Sequence, residues 1–174
     1  FRNKAAAGPI WETGANWVSF TATPTIDNGI AYYYSNLENG PLWSNSRYAA
    51  YPFMSYLFEK DNTRQFLWST WTGNLRDANG GSTEDWTETL VRLAQAAGIY
   101  KNGYQSFADD MGWYGARLAT GDLFNQKTLL DLRNSVYAAK LFTPLATTAT
   151  SGSYASPDTR PLLQWGTHII PLNP

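Results

Sequence analysis

The sequence predicts a mainly α-helical domain that ends in a short β-rich tail. Apolar side chains recur at spacings of three and four over most of residues 1–143, the period of a helix with one buried face. Gly and Pro fall between these runs rather than inside them, apart from a few cases treated below. After Pro144 the character changes, and Thr147, Thr148, Thr150, Ser151, Ser153, Pro157 and Pro161 deny a helix. A chain of 174 residues is long enough for one compact domain with a sizeable core. It divides into a helical part, 1–143, and a tail, 144–174.

The first helix is expected from Pro9, which suits a first turn, to about Thr21. Ile10, Gly14, Trp17 and Thr21 form one stripe, and Trp11, Ala15 and Val18 the next; rings on most sides predict a buried helix. Pro24 ends it, and Asp27 is placed to cap a short helix through Ile30, Tyr33 and Tyr34. After the Asn39-Gly40-Pro41 turn, a helix is expected over Ser46–Lys60, with Tyr48, Tyr51, Met54, Leu57 and Phe58 inward. Pro52 within it predicts a kink or a late start. Asp61–Thr72 carries Phe66, Leu67, Trp68 and Trp71 on a further helix. Beyond the Asn79-Gly80-Gly81 loop, Ser82 with Asp85 reads as a capping box. Trp86, Leu90, Leu93, Ala94 and Ala97 then follow at helical spacing until Gly98 stops them. Asn102-Gly103 opens a helix whose Phe107, Met111, Tyr114 and Leu118 share a face. Gln126–Phe142 reads as the last helix through Leu129, Leu132, Val136 and Ala139. Trp165–Leu172 reads as a strand.

Composition narrows the function classes. Hydrophobic residues make up 43% and charged residues 16%, a globular balance. Thirteen basic and fourteen acidic side chains leave a net charge of -1 with no basic cluster, which excludes nucleic acid and anionic membrane as expected partners. No apolar run reaches the roughly 18 residues of a membrane helix. Without Cys there is no disulfide framework and no thiolate chemistry, and with a single His, His168, the chain cannot surround a zinc ion alone. The start at Phe1, without Met or a leader-like apolar segment, suggests a piece trimmed from a longer chain. The aromatic content of 16% fits a core built from rings, and equally a sugar-stacking or protein-binding surface.

Two constellations carry potential chemistry. In Trp11-Glu12-Thr13-Gly14-Ala15-Asn16-Trp17, Glu12 and Asn16 project one turn apart from the same helix side. A carboxylate among large apolar side chains is expected in a dry pocket, where coordination to a metal offsets its desolvation; the competing explanation is a first-turn carboxylate that suits the helix dipole. In Asp109-Asp110-Met111-Gly112-Trp113-Tyr114-Gly115-Ala116-Arg117, the side chains of Asp110, Tyr114 and Arg117 share a face and can orient a substrate or stabilise an oxyanion. They can equally form an ordinary ladder of hydrogen bonds and ion pairs. Gly112 and Gly115 permit close approach of another element. Glu12 with Asp110 is a conceivable glycosidase pair that no spacing singles out. His168 reads as structural, and no phosphate loop or nucleophile elbow is present.

The run Trp11-Glu12-Thr13-Gly14-Ala15-Asn16-Trp17 resembles the W-E-x-x-A-N-W segment that follows the His-Glu-x-x-His helix in a group of bacterial secreted zincin-like domains of unknown function. These look related to the gluzincin peptidases and, more distantly, to plant basic secretory proteins. The resemblance continues through Arg47-Tyr48 to Phe58-Glu59-Lys60, through Asp109-Asp110 to Arg117, and into Pro161-Leu162-Leu163-Gln164-Trp165-Gly166-Thr167-His168-Ile169-Ile170-Pro171-Leu172. Each motif is moderately specific, and four in order cover most of the chain. It implies the C-terminal helical subdomain of a zincin-like metallopeptidase, with Glu12 as one zinc ligand and two His from an absent upstream helix as the others. The general base, the Glu of the His-Glu motif, is absent too. Asn16 would hold a ligand His from behind, where gluzincins often carry Asp. Tyr114 becomes a candidate oxyanion donor.

These implications set the functional expectations. The complete domain, secreted, would hydrolyse peptide or protein substrates by zinc-activated water, and this chain alone would be inert. The contrasting class is a non-catalytic module, structural, glycan-binding or part of an assembly, with Trp43, Trp68, Trp71 and Trp113 lining a shallow groove. A helical piece severed from its sheet should expose an apolar face and meet another chain, either the missing N-terminal half or copies of itself.

Overall fold

The computed structural model describes residue 8 and residues 10–24, 29–42, 44–123, 126–134 and 141–171. The expected class holds: the protein is mainly helical, with a small antiparallel two-stranded sheet near its C-terminus. The helices are α1 (Ile10–Ala22), α2 (Ile30–Tyr34), α3 (Tyr51–Glu59), α4 (Asp61–Leu67), α5 (Ser69–Thr72), α6 (Trp86–Ala96), α7 (Tyr104–Thr120) and α8 (Gln126–Arg133). Short 3-10 turns occupy Leu37–Asn39 and Ser44–Ser46. The strands β1 (Ala146–Thr147) and β2 (Tyr154–Ala155) pair with Ala146 opposite Ala155 and Thr147 opposite Tyr154.

α3 is the central element. Every residue from Tyr51 to Leu57 is buried, because α1, α4 and α7 all pack on it. α7 supplies the predicted face, with Phe107, Met111, Tyr114 and Leu118 all in the core. The core is a lattice of rings: Phe53 meets Trp86 and Tyr114 edge-on, and Phe20 meets Tyr51 at 4.6 Å between centroids. Such contacts add about 0.5–1.5 kcal/mol each beyond burial.

Several local expectations shift. Pro52 gives the late start, not the kink: it sits in the first turn of α3, where its missing N–H costs nothing. Tyr48 therefore lies before the helix and is exposed, and Phe58 is 38% exposed rather than inward. The Asp61–Thr72 segment breaks at Trp68 into α4 and α5. Gly29, in the left-handed region, stands at the N-cap of α2, while Asp27 lies outside the described residues. The capping box at α6 is Asp85 with Glu88, not Ser82 with Asp85; Ser82 instead donates to the Glu84 carbonyl and takes a bond from Asn74. α8 is described only to Arg133, and the expected continuation through Val136 and Ala139 lies outside the described residues.

The tail departs most. Trp165–Leu172 is not a strand among the described residues; a single parallel bridge joins Ile169 to Phe142, and the strands lie earlier. Trp165 has φ of 62°, which breaks any extended run. The segment works as a strap. Leu163 N–H donates to the Glu38 carbonyl and Thr167 N–H to the Leu37 carbonyl, at 2.8 and 2.9 Å. Arg160 reaches the buried Glu38 carboxylate at 2.6 Å. Trp165 packs edge-on against Phe107, with centroids 4.8 Å apart. Thr167 sits in the notch that Gly115 leaves in α7, where a β-carbon would come within 2.9 Å of it. Gly112 faces open space and makes no such approach.

A second polar anchor fixes the 74–84 loop. Glu84 accepts from Arg92, from the Leu75 N–H and from Thr89, while Arg92 also reaches the Gly73 carbonyl. Bonding to Arg92 holds the Glu84 carboxyl below its usual value of 4.5. A depressed carboxyl stabilises the fold fully above that value and loses its contribution as pH falls through the lower folded value. Acid titration of the unfolding free energy should show this loss below about pH 4.5, and E84Q should lower stability at neutral pH and flatten the acid decline. Filling the notch with G115V should cost about 1–3 kcal/mol in urea unfolding, and T167A in the same chain should recover most of that loss.

Candidate functional site

The site built around Glu12 starts from the way α1 docks. Thr13, Gly14, Trp17 and Phe20 face the core. Gly14 lets the Trp71 ring approach to 3.2 Å of where a β-carbon would stand. That docking turns Glu12 outward, and it is exposed. The dry pocket expected around this carboxylate is not what the structure shows: its aromatic neighbours in sequence lie on other sides of the helix. Glu12 sits in the first turn of α1, where its charge suits the helix dipole. Among the described residues, no group of three or more His, Cys, Asp or Glu is placed to hold a metal ion.

Asn16 follows Glu12 on the same side and is half-buried. Its amide NH2 donates to the Tyr48 carbonyl. A carbonyl only accepts, so the bond fixes which end of the amide faces Tyr48. The Asn16 oxygen is thereby left as an acceptor, and Thr13 makes a parallel tie one turn earlier, to the Arg47 carbonyl at 2.8 Å. The Arg47-Tyr48 motif thus anchors α1 beneath the Glu12 side.

The second constellation does not converge. Asp110 is 7% exposed, yet its carboxylate is fully engaged. Lys60 pairs with it, Tyr100 donates to it at 2.5 Å and Tyr56 at 3.4 Å. Burial, then bonding to Asp110, raises the Tyr100 phenol far above its ordinary range; burial and the Asp110 charge do the same to Tyr56. Both phenols are therefore neutral donors across the physiological range. Tyr114 lies in the core at 1% exposure, its hydroxyl 2.9 Å from that of Tyr33. Burial, reinforced by Tyr33, holds its phenol well above the usual range, and it faces other rings rather than an open surface. Arg117 turns away to Glu59 at 2.6 Å and Asp122 at 3.3 Å. Asp110, Tyr114 and Arg117 thus take different polar partners rather than forming an intrahelical ladder. What they share is the Tyr56 ring, 5.4 Å from that of Tyr114 and 5.7 Å from the Arg117 guanidinium.

Sequence reading missed Lys60, Tyr56 and Tyr100 as partners of Asp110. The i, i+4 pair Tyr56 and Lys60 was visible as a possible contact; Tyr100, at the turn between α6 and α7, carried no such signal. His168 is half-buried and pairs with Ser156 at 3.2 Å, in keeping with a structural residue.

Beside α1 lie two open apolar hollows. One, about 270 Å³, is walled by Trp11, Trp71 and Leu67 among others; the larger, about 720 Å³, by Ala22, Ser55 and Phe58. They share Trp17, Val18 and Trp68. Trp68 is 62% and Val18 52% exposed, so one flank of a helix expected to be buried all round is open. Trp68 and Trp71 of the expected groove belong here; Trp113 lies elsewhere, on the outer side of α7, at 69% exposure, and Trp43 is outside the described residues. Among the described residues, no helix is long and apolar enough to cross a membrane.

Fold and site together define a mainly helical domain with an aromatic core and a carboxylate displayed on its first helix. The chain belongs to the family of unknown function DUF6055, whose model matches residues 1–174. No curated protein and no solved structure matches it.

D110A leaves Lys60 and the Tyr100 phenol without their carboxylate acceptor, while Tyr56 keeps the backbone carbonyl of residue 110 at 3.1 Å. It should cost about 3–5 kcal/mol in urea unfolding and should loosen Tyr100, seen as faster amide exchange in the turn at 98–103.

Proposed function

We propose that this chain is the C-terminal helical part of a secreted zincin-like metallopeptidase domain, inert by itself. In this reading Glu12 offers one carboxylate ligand to a zinc ion whose remaining protein ligands come from polypeptide outside these 174 residues. The carrying observation is the outward side of α1: Glu12 and Asn16 stand one turn apart, with the Asn16 amide tied to Tyr48. The ordered run of four motifs supports the same reading.

The residues present fit one ligand and its helper, and no more. An exposed Glu12 offers no argument from burial, and it rules out a metal site closed within the described residues. The proposed site is a shared one, in which the arriving partner would supply the desolvation. Asn16 then presents its carbonyl oxygen to the N–H of a ligand His, which fixes that ring's tautomer and direction. When bound, zinc supplies an acidified water and a Lewis acid for peptide hydrolysis. Asp110 and Tyr114 enter as positioning groups for α7 within this scheme, since their side chains are held in the core.

A second reading, as a non-catalytic binding module, is favoured by the open hollows and exposed Trp68. Their apolar walls argue for an apolar partner over a glycan, which needs many hydrogen-bonding groups.

Zinc retention decides between them. Full-length protein dialysed against micromolar zinc should hold one ion, and N16A should weaken that affinity about 10–100-fold. E12Q should weaken it further, with unchanged helical circular dichroism. The metallopeptidase proposal fails if the full-length protein retains no zinc, or if E12Q retains it as the parent does.

A further inference from the structure

The larger hollow beside α1 carries a feature that the proposed zinc chemistry does not use. Its apolar walls are Trp17, Val18 and Ala22 of α1, Phe58 of α3 and Trp68 between α4 and α5, and its volume of about 720 Å³ is within the range of small-molecule sites. Together with the smaller hollow it follows α1 from Trp11 to Ala22, about 16 Å at 1.5 Å per residue. Two charged residues stand at its mouth, and both are already engaged. Glu59 pairs with Arg117 at 2.6 Å. Arg64 pairs with Asp61 at 3.4 Å, donates to the Phe58 and Glu59 carbonyls and lies over the Phe58 ring. The Thr21 hydroxyl donates to the Trp17 carbonyl.

One polar group is different. Ser55, on α3, lines this hollow at 2% exposure, and its hydroxyl has no hydrogen-bond partner among the described residues. A buried hydroxyl without a partner is destabilising, and Ala at that helical position would avoid the penalty. The Ser55 oxygen is shielded as it stands, and Ser has three staggered χ1 positions, so the binding proposed below requires the hydroxyl to turn toward a group entering the hollow.

We propose that this hollow binds a small uncharged amphiphile, an apolar body bearing one hydroxyl head that hydrogen-bonds Ser55. The paired charges at the mouth leave nothing to neutralise a carboxylate or an ammonium, so charged relatives of the same ligand are disfavoured. The apolar walls bind the body, and Ser55 supplies the preference for a head group.

The test uses 1-octanol, n-octane, octanoate and octylammonium as probes of the purified protein, read by amide shifts at Val18, Ala22 and Phe58 and by tryptophan fluorescence. Octanol should give saturable shifts, and both charged probes should bind at least tenfold more weakly. S55A should raise the Tm of the free protein, because it removes an unsatisfied hydroxyl. It should weaken octanol roughly three- to tenfold, the worth of one hydrogen bond, and leave octane unchanged. A22W, checked for folding by circular dichroism, should abolish both. The proposal is overturned by any of four results: no saturable octanol shift up to its solubility, equal binding of a charged probe, S55A that binds octanol as the parent does, or folded A22W that still binds it. Since none of these measurements involves zinc, they stand or fall apart from the metallopeptidase reading.

Discussion

The fold is organised around one buried carboxylate. Asp110 gathers Lys60 from the end of α3, Tyr56 from its middle and Tyr100 from the turn before α7. A desolvated ion pair gives little net stability over an apolar substitute. Its force lies in what it forbids, because any arrangement that parts these groups leaves a bare charge in a ring-filled interior. α3, the α6–α7 turn and α7 are therefore held in one relative placement, and the ring lattice of Phe53, Tyr56, Trp86 and Tyr114 packs around it.

Two further placements follow from that frame. Because α7 is fixed, the notch at Gly115 faces the tail, and Thr167 fills it while Trp165 closes over Phe107. Because α3 is fixed, α1 has one surface to pack on. It uses Trp17 and Phe20 for that contact, leaving Glu12 and Asn16 on one open side and Val18 on another. The tail strap and the displayed carboxylate are thus consequences of the same rigid pair of helices.

The outer sides of α1 suit different chemistry. The Glu12 side is polar and anchored through Asn16 and Thr13 to the Arg47-Tyr48 backbone. The Val18 side is apolar, bordered by Trp17, Trp68 and Phe58, with the Trp17 ring 5.1 Å from that of Phe58 and 6.1 Å from that of Trp68. A partner that brings metal ligands to the first side has no need to cover the second, so a shared metal site and a small-molecule hollow are compatible on one helix.

What was readable in the chain was local. The period of Phe107, Met111, Tyr114 and Leu118, the stop at Gly98 and the late start that Pro52 imposes each depend on a few neighbouring residues, and each is found. The strand expected at Trp165–Leu172 failed because Trp165 takes a left-handed backbone to reach Phe107, a demand made by a residue some sixty positions away. Burial of Glu12 was misjudged for a similar reason: aromatic neighbours in sequence do not enclose a helical side chain, since successive residues point in different directions. By itself, then, the sequence determined the helical class, the order of the main helical segments and the inward face of α7, all set by short-range periodicity and backbone restriction. Only the tertiary structure decided which carboxylate is buried and which displayed. That depends on which side of each helix finds a neighbour, and desolvation is a property of the assembled chain.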